Sequence, residues 1–274
     1  MWDNVVRDIA LSELPCNWLQ CQENSVDPTH SEWLHGYFAN HVREVYNEGP
    51  RAPQQQPALR GIDRRHKRIG FDIFDYGIIK RRIQGTGTEE DEDWAHGHPI
   101  IFPNMLLVGN QFNCTMQFRV PIDDEHTFHV SLYSFAAAPG THAPRQESVP
   151  ARHVPLFEAD GSWVVGYTFN QDYMAWTQQG PIAQRQLEKL GEGDKGIILF
   201  RRLLKRQLQA MQEGNDPMNV FRDPEKNQFL ELPMEKIKRG VTSAPRRYIP
   251  GEAGYSVDAE KIEAAQATWA GGAA

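Results

Sequence analysis

Residues 100–135 contain three apolar segments, IIFPNMLLVG (100–109), NCTMQFRVPI (113–122) and EHTFHVSLYSF (125–135), separated only by short runs of turn residues. Each segment is rich in β-branched and aromatic residues, which favour strands. A similar segment, KRIGFDIFDYGIIKRRI (67–83), precedes them and has a turn signal near Gly77. The short gaps predict an antiparallel meander rather than βαβ units, because a parallel pair needs a long crossover connection.

Helical patterns flank this strand-rich region. Residues 15–47 are predicted to be helical with one break at Asp27-Pro28, since Asp suits an N-cap and Pro suits the first helical position. Residues 48–66 are rich in Pro and Gln and predict a loop. Residues 172–190 and 195–211 are predicted helices, the second because its apolar residues recur at spacings of three and four. The sequence therefore predicts the α+β class.

Charge and composition exclude two broad classes of partner. The 274-residue chain has a net charge of −7, so it has no general attraction for phosphate backbones, and nucleic acid is not expected. No stretch approaches the ~20 apolar residues needed to span a bilayer. The acidic N-terminus is not a secretory signal, and the three cysteines, Cys16, Cys21 and Cys114, fit a reducing compartment. We therefore expect a cytoplasmic protein with no membrane partner.

Two histidines and three carboxylates lie near an aspartate-proline break in the stretch CQENSVDPTHSEWLHGYF (21–38). His30 and His35 are five residues apart, which separates them by about 140° around a straight helix. Joint metal binding therefore requires a helix bend or histidines at helix ends. Asp27 precedes His30 by three residues and suits a hydrogen bond from a metal-bound imidazole. These residues alone leave open an Asp N-cap and two packed histidines.

The longer stretch NWLQCQENSVDPTHSEWLHGYF (17–38) resembles the mononuclear-iron motif of the Rieske-type non-heme iron oxygenases, the large subunits of ring-hydroxylating oxygenases. The shared pattern is Asn-Trp, then Glu-Asn, Asp, His and His, and it runs from Asn17 to His35. A second block, residues 170–208, begins NQDYMAW and resembles the segment that carries the family's third iron ligand. The resemblance covers residues 2 to about 225 and is strongest to the phthalate and phenoxybenzoate dioxygenase branch.

The resemblance implies a helix-grip (START-like) fold, in which a curved antiparallel sheet packs on long helices. It also implies a mononuclear Fe(II) site formed by His30, His35 and Asp172, a donor set that leaves positions open for dioxygen and water. Asp172 lies 137 residues beyond His35 (172 − 35 = 137) and by itself also suits a helix N-cap. Asp160 and Asp194 are alternative carboxylates, but neither stands in the matching block.

The electron supply is where this sequence departs from the family. There, the residue matching Asp27 connects an iron-ligating histidine to a Rieske [2Fe-2S] cluster on a neighbouring subunit. Such a cluster needs a Cys-x-His and a Cys-x-x-His, and no cysteine of this chain has either spacing. We therefore expect residues 1–240 to be a catalytic domain, 241–274 to be a partly ordered tail, and no Rieske domain in this chain. Electrons from NAD(P)H would arrive through a reductase or ferredoxin and a Rieske centre elsewhere, and the family implies a homotrimer or a multiple of it.

Three functions remain open at this stage. The first is hydroxylation of an aromatic substrate with O2, and the second is monooxygenation or O-demethylation at the same iron triad. The third is a non-catalytic module that holds a hydrophobic ligand, since a fold does not fix a function.

Other histidines are predicted to be structural. His126 and His129 are three residues apart on a predicted strand, so they point to opposite faces and do not ligate one metal together. His96 and His98 follow an acidic run that predicts a solvated loop.

Overall fold

An eight-stranded sheet forms the centre of the computed structural model, which describes residues 3–46, 65–109, 112–227, 230–233 and 256–271. In chain order the strands are β1 (Val5–Leu14), β2 (His66–Phe74), β3 (Gly77–Gln84), β4 (His98–Ile101), β5 (Met105–Gly109), β6 (Asn113–Pro121), β7 (Thr127–Ala136) and β8 (Ala151–His153). They are ordered β2-β3-β4-β5-β6-β7-β1-β8 across the sheet. Strands β2 to β7 pair antiparallel in sequence order, so the predicted meander is confirmed.

Strand β1 is one of the elements that the sequence pattern did not reveal. It lies between β7, to which it is antiparallel, and β8, to which it is parallel. Its inward positions alternate between apolar and polar residues, and the polar ones, Asp8 and Ser12, are buried. Asp8 forms an ion pair with Arg152 and accepts a hydrogen bond from Ser256. Because buried polar side chains interrupt the apolar alternation, periodicity alone does not identify this strand.

Helices lie before, between and after the strands along the chain and pack on the sheet. They are α1 (Trp18–Ser25), α2 (His30–Glu32), a π-helical segment (Trp33–Phe38), α3 (Ala39–Tyr46), α4 (Glu92–Ala95), α5 (Thr168–Thr177), α6 (Lys195–Gln212) and α7 (Ala259–Ala267). The break at Asp27-Pro28 and the helix over 195–211 are confirmed. The predicted helix over 172–190 is wrong beyond Thr177, because Gly180 adopts a positive φ and Pro181 follows it. The predicted loop over 48–66 lies mostly outside the described residues.

The acidic segment before β4 is more ordered than predicted. Glu92–Ala95 forms helix α4, and His98 is buried on β4 rather than solvated in a loop. The His98 imidazole contacts the Asp93 carboxylate and lies 3.0 Å from an Arg82 nitrogen. The Asp93 carboxylate is thus paired within the protein, and the predicted solvated loop is wrong at His98.

Two apolar clusters form the core on the inner face of the sheet. One lies under β1 and β7, against α5 and α7, and it includes Tyr133, Trp176 and Ile262. The other lies under β3 to β5, against α6, and it includes Ile78 and Phe200. A mainly antiparallel sheet whose inner face packs on helices is the arrangement expected of a helix-grip fold. The predicted α+β class is therefore confirmed.

Helix α6 approaches the rest of the fold closely at Gly196. A Cβ atom at this position would lie 2.2 Å from the backbone oxygen of Val26 and 2.5 Å from the Phe71 ring. Only glycine permits this contact, and the contact fixes α6 beside the chain segment that leads to Asp27. The side chain of Glu23 on α1 also forms an ion pair with Arg201 on α6.

The C-terminal residues that the structure describes pack on the sheet. Helix α7 buries Ile262 and Ala265 against β1 and β7, and Trp269 donates a hydrogen bond from its indole to the Ala136 oxygen at 2.7 Å. The predicted division at residue 240 lies outside the described residues and stays a prediction. Among the described helices, none combines the length and apolar character needed to cross a membrane.

Candidate metal centre

A π-helical turn brings His30 and His35 together. On a straight α-helix these residues would point about 140° apart. The segment Trp33–Phe38 is instead π-helical, and the Ala39 N–H bonds to the Leu34 oxygen five residues back. Such i→i+5 hydrogen bonds widen the turn, so residues five apart come near the same side of the helix. The two imidazole rings accordingly lie 5.2 Å apart, centroid to centroid, and nearly perpendicular.

Asp172 on α5 completes the cluster from a distant part of the chain. Its buried Oδ1 atom lies 3.2 Å from Nε2 of His35. One ligand atom from each of His30, His35 and Asp172 lies within 4.8 Å of the others, and no other such group of three occurs in the part of the chain that the structure describes. Metal bonds of ~2.1 Å meeting at right angles place ligand atoms about 3 Å apart. The spacing therefore suits a single metal ion.

The side chain of Gln171 sets the orientation of His35. Its Oε1 lies 3.0 Å from Nδ1 of His35, and its amide nitrogen donates to the Val165 oxygen at 3.0 Å. Because the amide nitrogen is already bound to Val165, Oε1 accepts the Nδ1–H of His35 and leaves Nε2 to face Asp172. A ring nitrogen and a carboxylate oxygen at 3.2 Å repel each other unless a proton or a metal cation lies between them. The donor set thus fits a bound cation.

His30 is oriented by Asp27, but through the backbone rather than the carboxylate. The Nδ1 atom of His30 lies 2.6 Å from the backbone oxygen of Asp27 and 3.7 Å from its Oδ2. The carboxylate instead accepts the backbone N–H groups of Thr29 at 2.7 Å and His30 at 3.1 Å. The predicted carboxylate–imidazole hydrogen bond is therefore replaced by one to the backbone carbonyl. Both histidines present Nε2 to the same space.

Electrostatics keep both acids of this region ionised. Burial raises the pKa of Asp172, but the nearby His35, His30 and Arg119 outweigh it, and the pKa lies below its usual value. The pKa of Asp27 is also lowered, because interactions with His30 and the Thr29 N–H outweigh burial. Asp172 is consequently a carboxylate at neutral pH, the form that binds metal.

The alternative acids and histidines do not join the cluster. Asp160 accepts hydrogen bonds from Ser162 in an exposed turn, and Asp194 accepts the N–H of Gly191 in the exposed turn before α6. His126 is half exposed and lies 2.9 Å from Asp123. His129 is buried against α5, with Nδ1 3.0 Å from the Tyr173 hydroxyl.

Sequence reasoning missed two residues of this region. Gln171 directly precedes Asp172 in the NQDYMAW block, and that adjacency was its only local signal. Arg119 lies on β6, 53 residues before Asp172 (172 − 119 = 53), and nothing in the sequence connects it to the cluster.

Comparison with known proteins places this geometry in context. A protein-family model described as "LigXa C-terminal domain like" matches residues 159–228. The 5,5'-dehydrodivanillate O-demethylase oxygenase subunit of Sphingobium sp. is 37% identical over 246 residues, which cover 88% of this chain and 54% of that protein. The phthalate 4,5-dioxygenase oxygenase subunit of Pseudomonas putida is 27% identical, covering 80% of this chain and 54% of that one.

The phenoxybenzoate dioxygenase subunit alpha of Ectopseudomonas oleovorans is 25% identical, over 76% of this chain and 46% of that protein. The chain thus spans about half the length of the curated relatives it matches.

Proposed function

Because this chain belongs to the Rieske-type non-heme iron oxygenases and corresponds to the catalytic part of their large subunit, we propose that it binds one Fe(II) ion and oxidises an aromatic substrate with dioxygen. His30, His35 and Asp172 hold the metal. The observation that supports this is the convergence of their ligand atoms within 4.8 Å from two distant parts of the chain. When bound, the iron supplies the activation of dioxygen, with two electrons delivered from outside.

The residues around the triad have separate tasks. Gln171 and the Asp27 carbonyl hold the two imidazoles with Nε2 towards the metal. The buried Asp172 supplies the negative charge. The apolar clusters of the core include Tyr173, next to Asp172, and Val26, next to Asp27, and they exclude water, which limits wasteful oxygen chemistry.

The electron donor lies outside the sequence given. The three cysteines lack the Rieske spacings, and Cys16 and Cys21 are fully buried within the protein. We propose that a Rieske [2Fe-2S] centre on another chain or segment delivers the electrons at Asp27, whose side chain remains 22% exposed. A reductase or ferredoxin would reduce that centre with electrons from NAD(P)H, in a trimeric assembly located in the cytoplasm.

O-demethylation is the second candidate reaction, because the relative that is 37% identical is an O-demethylase subunit. In that reaction an aryl methyl ether, O2, two electrons and two protons give a phenol, formaldehyde and water. Formaldehyde release therefore distinguishes demethylation from ring hydroxylation, which retains the substrate carbons.

Metal content tests the proposal directly. We expect about one iron per chain after anaerobic loading with Fe(II), and its loss in His30→Ala and in Asp172→Ala, measured by elemental analysis. Asp160→Ala is the matched control, since this exposed aspartate lies in a turn away from the cluster and should leave iron content unchanged. A folded wild-type chain without iron would contradict the proposal and favour the third function, a module whose affinity for hydrophobic ligands survives metal removal.

A further inference from the structure

Arg119 is a buried cation on the sheet beside the candidate metal centre. This residue of β6 is 1% exposed, and its guanidinium donates a hydrogen bond from Nη2 to Oε1 of Gln117 at 2.6 Å. Its Nε and Nη1 atoms have no hydrogen-bond partner within the described part of the chain. Burying a guanidinium costs free energy unless its charge and its donors are matched. Hydrogen bonding alone therefore does not explain why this buried position carries an arginine.

The guanidinium packs against the helix that carries the third metal ligand. Its Cζ atom lies 5.6 Å from the centre of the Trp176 ring, and Trp176 follows Asp172 by four residues on α5 (176 − 172 = 4). Residues four apart are neighbours on one face of an α-helix. The cross-strand partner of Arg119, His129, has its Nδ1 atom 3.0 Å from the hydroxyl of Tyr173, the residue after Asp172. Arg119 therefore faces the turn of α5 that begins at Asp172.

Asp172 is a carboxylate whose charge acts on Arg119 without a hydrogen bond between the two groups. Burial lowers the pKa of Arg119 to about 10, so Arg119 stays protonated at neutral pH. Arg119 is in turn one of the cations, after His35 and His30, that hold the pKa of Asp172 below its usual value against the effect of burial. His129 adds no charge, because burial and the nearby guanidinium lower the pKa of His129 well below its usual value. The cation thus acts on the candidate metal centre through its electric field.

The same field acts on any metal ion that the triad binds. A divalent ion held by one carboxylate and two neutral imidazoles keeps one positive charge in excess, and a trivalent ion keeps two. Arg119 repels both states, but it repels the trivalent state about twice as strongly, because the Coulomb energy scales with the product of the charges. Salt screens this repulsion little, since the cation and Asp172 are both buried. The position of Arg119 therefore favours Fe(II) over Fe(III).

We propose that Arg119 raises the reduction potential of the bound iron, so that the protein holds the metal as Fe(II), the state that reacts with dioxygen. This inference rests on the proposed oxygenase function and adds to it a residue that tunes the metal without touching it. Arg119 is a positioning residue, since it acts through Asp172 and through space. The same repulsion weakens the binding of Fe(II) itself, and the two effects together distinguish a role of the charge from a role in packing.

The test measures the reduction potential of the iron-loaded chain and, by chelator competition without oxygen, its Fe(II) affinity. Both are measured at pH 8, because the neighbouring cation Lys80 has a pKa of about 7 and is then largely neutral. Arg119→Gln removes the charge and should shift the Fe(III)-to-Fe(II) affinity ratio about ten-fold towards Fe(III), a decrease of ~59 mV for a one-electron couple. It should also tighten Fe(II) binding several-fold. Arg119→Lys keeps the charge and should stay within about two-fold of the wild-type ratio, as should Arg222→Gln, which removes an exposed cation.

Gln117→Glu tests the charge without removing the arginine. The new carboxylate would lie where Oε1 of Gln117 accepts the hydrogen bond from Arg119, so it neutralises much of the guanidinium charge. The potential should then fall in the same direction as in Arg119→Gln. A role in packing alone predicts instead that both variants bind Fe(II) more weakly and that the potential does not follow the charge.

Several outcomes would overturn the proposal. These are an unchanged or higher potential in a folded Arg119→Gln variant, or a loss of Fe(II) affinity in that variant. If Arg119→Gln does not fold, the potential of Gln117→Glu decides, and if neither variant folds, Arg119 is structural and the proposal fails. Iron content is measured on the same samples. A wild type without iron contradicts both the oxygenase function and this inference, whereas an iron-loaded wild type with the same potential as Arg119→Gln contradicts only the role of Arg119.

Discussion

Replacing Gln171 with leucine tests whether the residue next to Asp172 controls the metal site. The side chain of Gln171 is 3% exposed and connects Nδ1 of His35 to the backbone oxygen of Val165. Leucine has a similar volume but accepts no hydrogen bond. The Nδ1–H of His35 would then lose its acceptor, and the ring would be free to adopt the tautomer that places a proton on Nε2, where the metal binds.

The expected loss follows from this geometry. Removing the hydrogen-bonded partner of a metal-ligating histidine typically weakens metal affinity 10- to 100-fold. That corresponds to about 1.4–2.7 kcal/mol of binding free energy. An unpartnered buried N–H costs ~1–3 kcal/mol, which is the same range. Both routes therefore give a loss of one to two orders of magnitude in affinity.

The assay is a competition titration of metal against a fluorescent chelator, without oxygen, using Fe(II) and Co(II). Gln179→Leu is the matched control, because Gln179 is exposed just beyond the end of α5 and should leave the metal affinity unchanged. Gln171→Glu keeps an acceptor oxygen and should retain at least part of the wild-type affinity. A folded Gln171→Leu variant whose metal affinity stays within two-fold of wild type would refute the reasoning.

Three further predictions concern stability. Burial lowers the pKa of Lys80 to about 7 from an ordinary value of 10.5, so the unfolded chain binds more protons than the folded chain between these pH values. The free energy of unfolding, measured by urea titration, should therefore rise with pH across this window. Lys80→Met should remove about 3 kcal/mol of this rise between pH 7 and 9.5, and parallel wild-type and variant curves of unfolding free energy against pH would contradict the prediction. Gly196→Ala should destabilise the fold by ~1–3 kcal/mol, since the new methyl group overlaps the Val26 oxygen, and an unchanged melting midpoint would show that α6 packs differently. Ile262→Ala should cost ~2–4 kcal/mol because the side chain is fully buried, whereas Lys261→Ala beside it is partly exposed and should cost less than about 1 kcal/mol; equal losses would mean that α7 is not docked on the sheet.

Local patterns in the sequence were sufficient for most of the strands and for the break between α1 and α2. Strands β4 to β7 are apolar segments with short gaps, and pairing with the next strand along the chain needs no long-range information. The pattern failed where tertiary contacts overrode it. Asp8 on β1 is buried because Arg152 and Ser256 pair with it, and neither partner is near it in sequence.

The candidate metal ligands were predictable in identity but not in geometry. His30, His35 and Asp172 were named from the resemblance of two sequence blocks, while the spacing of the histidines by itself argued against a shared site. The π-helical turn removes that objection. No residue type between Glu32 and Ala39 predicts this change in the backbone.

The sequence by itself determined the class of fold and the absence of Rieske spacings in this chain, because these depend on residue types and on separations of a few residues. It supplied the candidate donor set only through the family resemblance. Only the tertiary structure decided which atoms meet. In the structure, the Gln171 side chain contacts Nδ1 of His35, and the backbone carbonyl of Asp27, rather than its carboxylate, contacts Nδ1 of His30. Arg119 of β6 lies beside the turn of α5 that follows Asp172. The physical reason is that packing across the sheet selects hydrogen-bond partners and buried charges. Contacts between residues far apart in the chain do not appear in the local periodicity of the sequence.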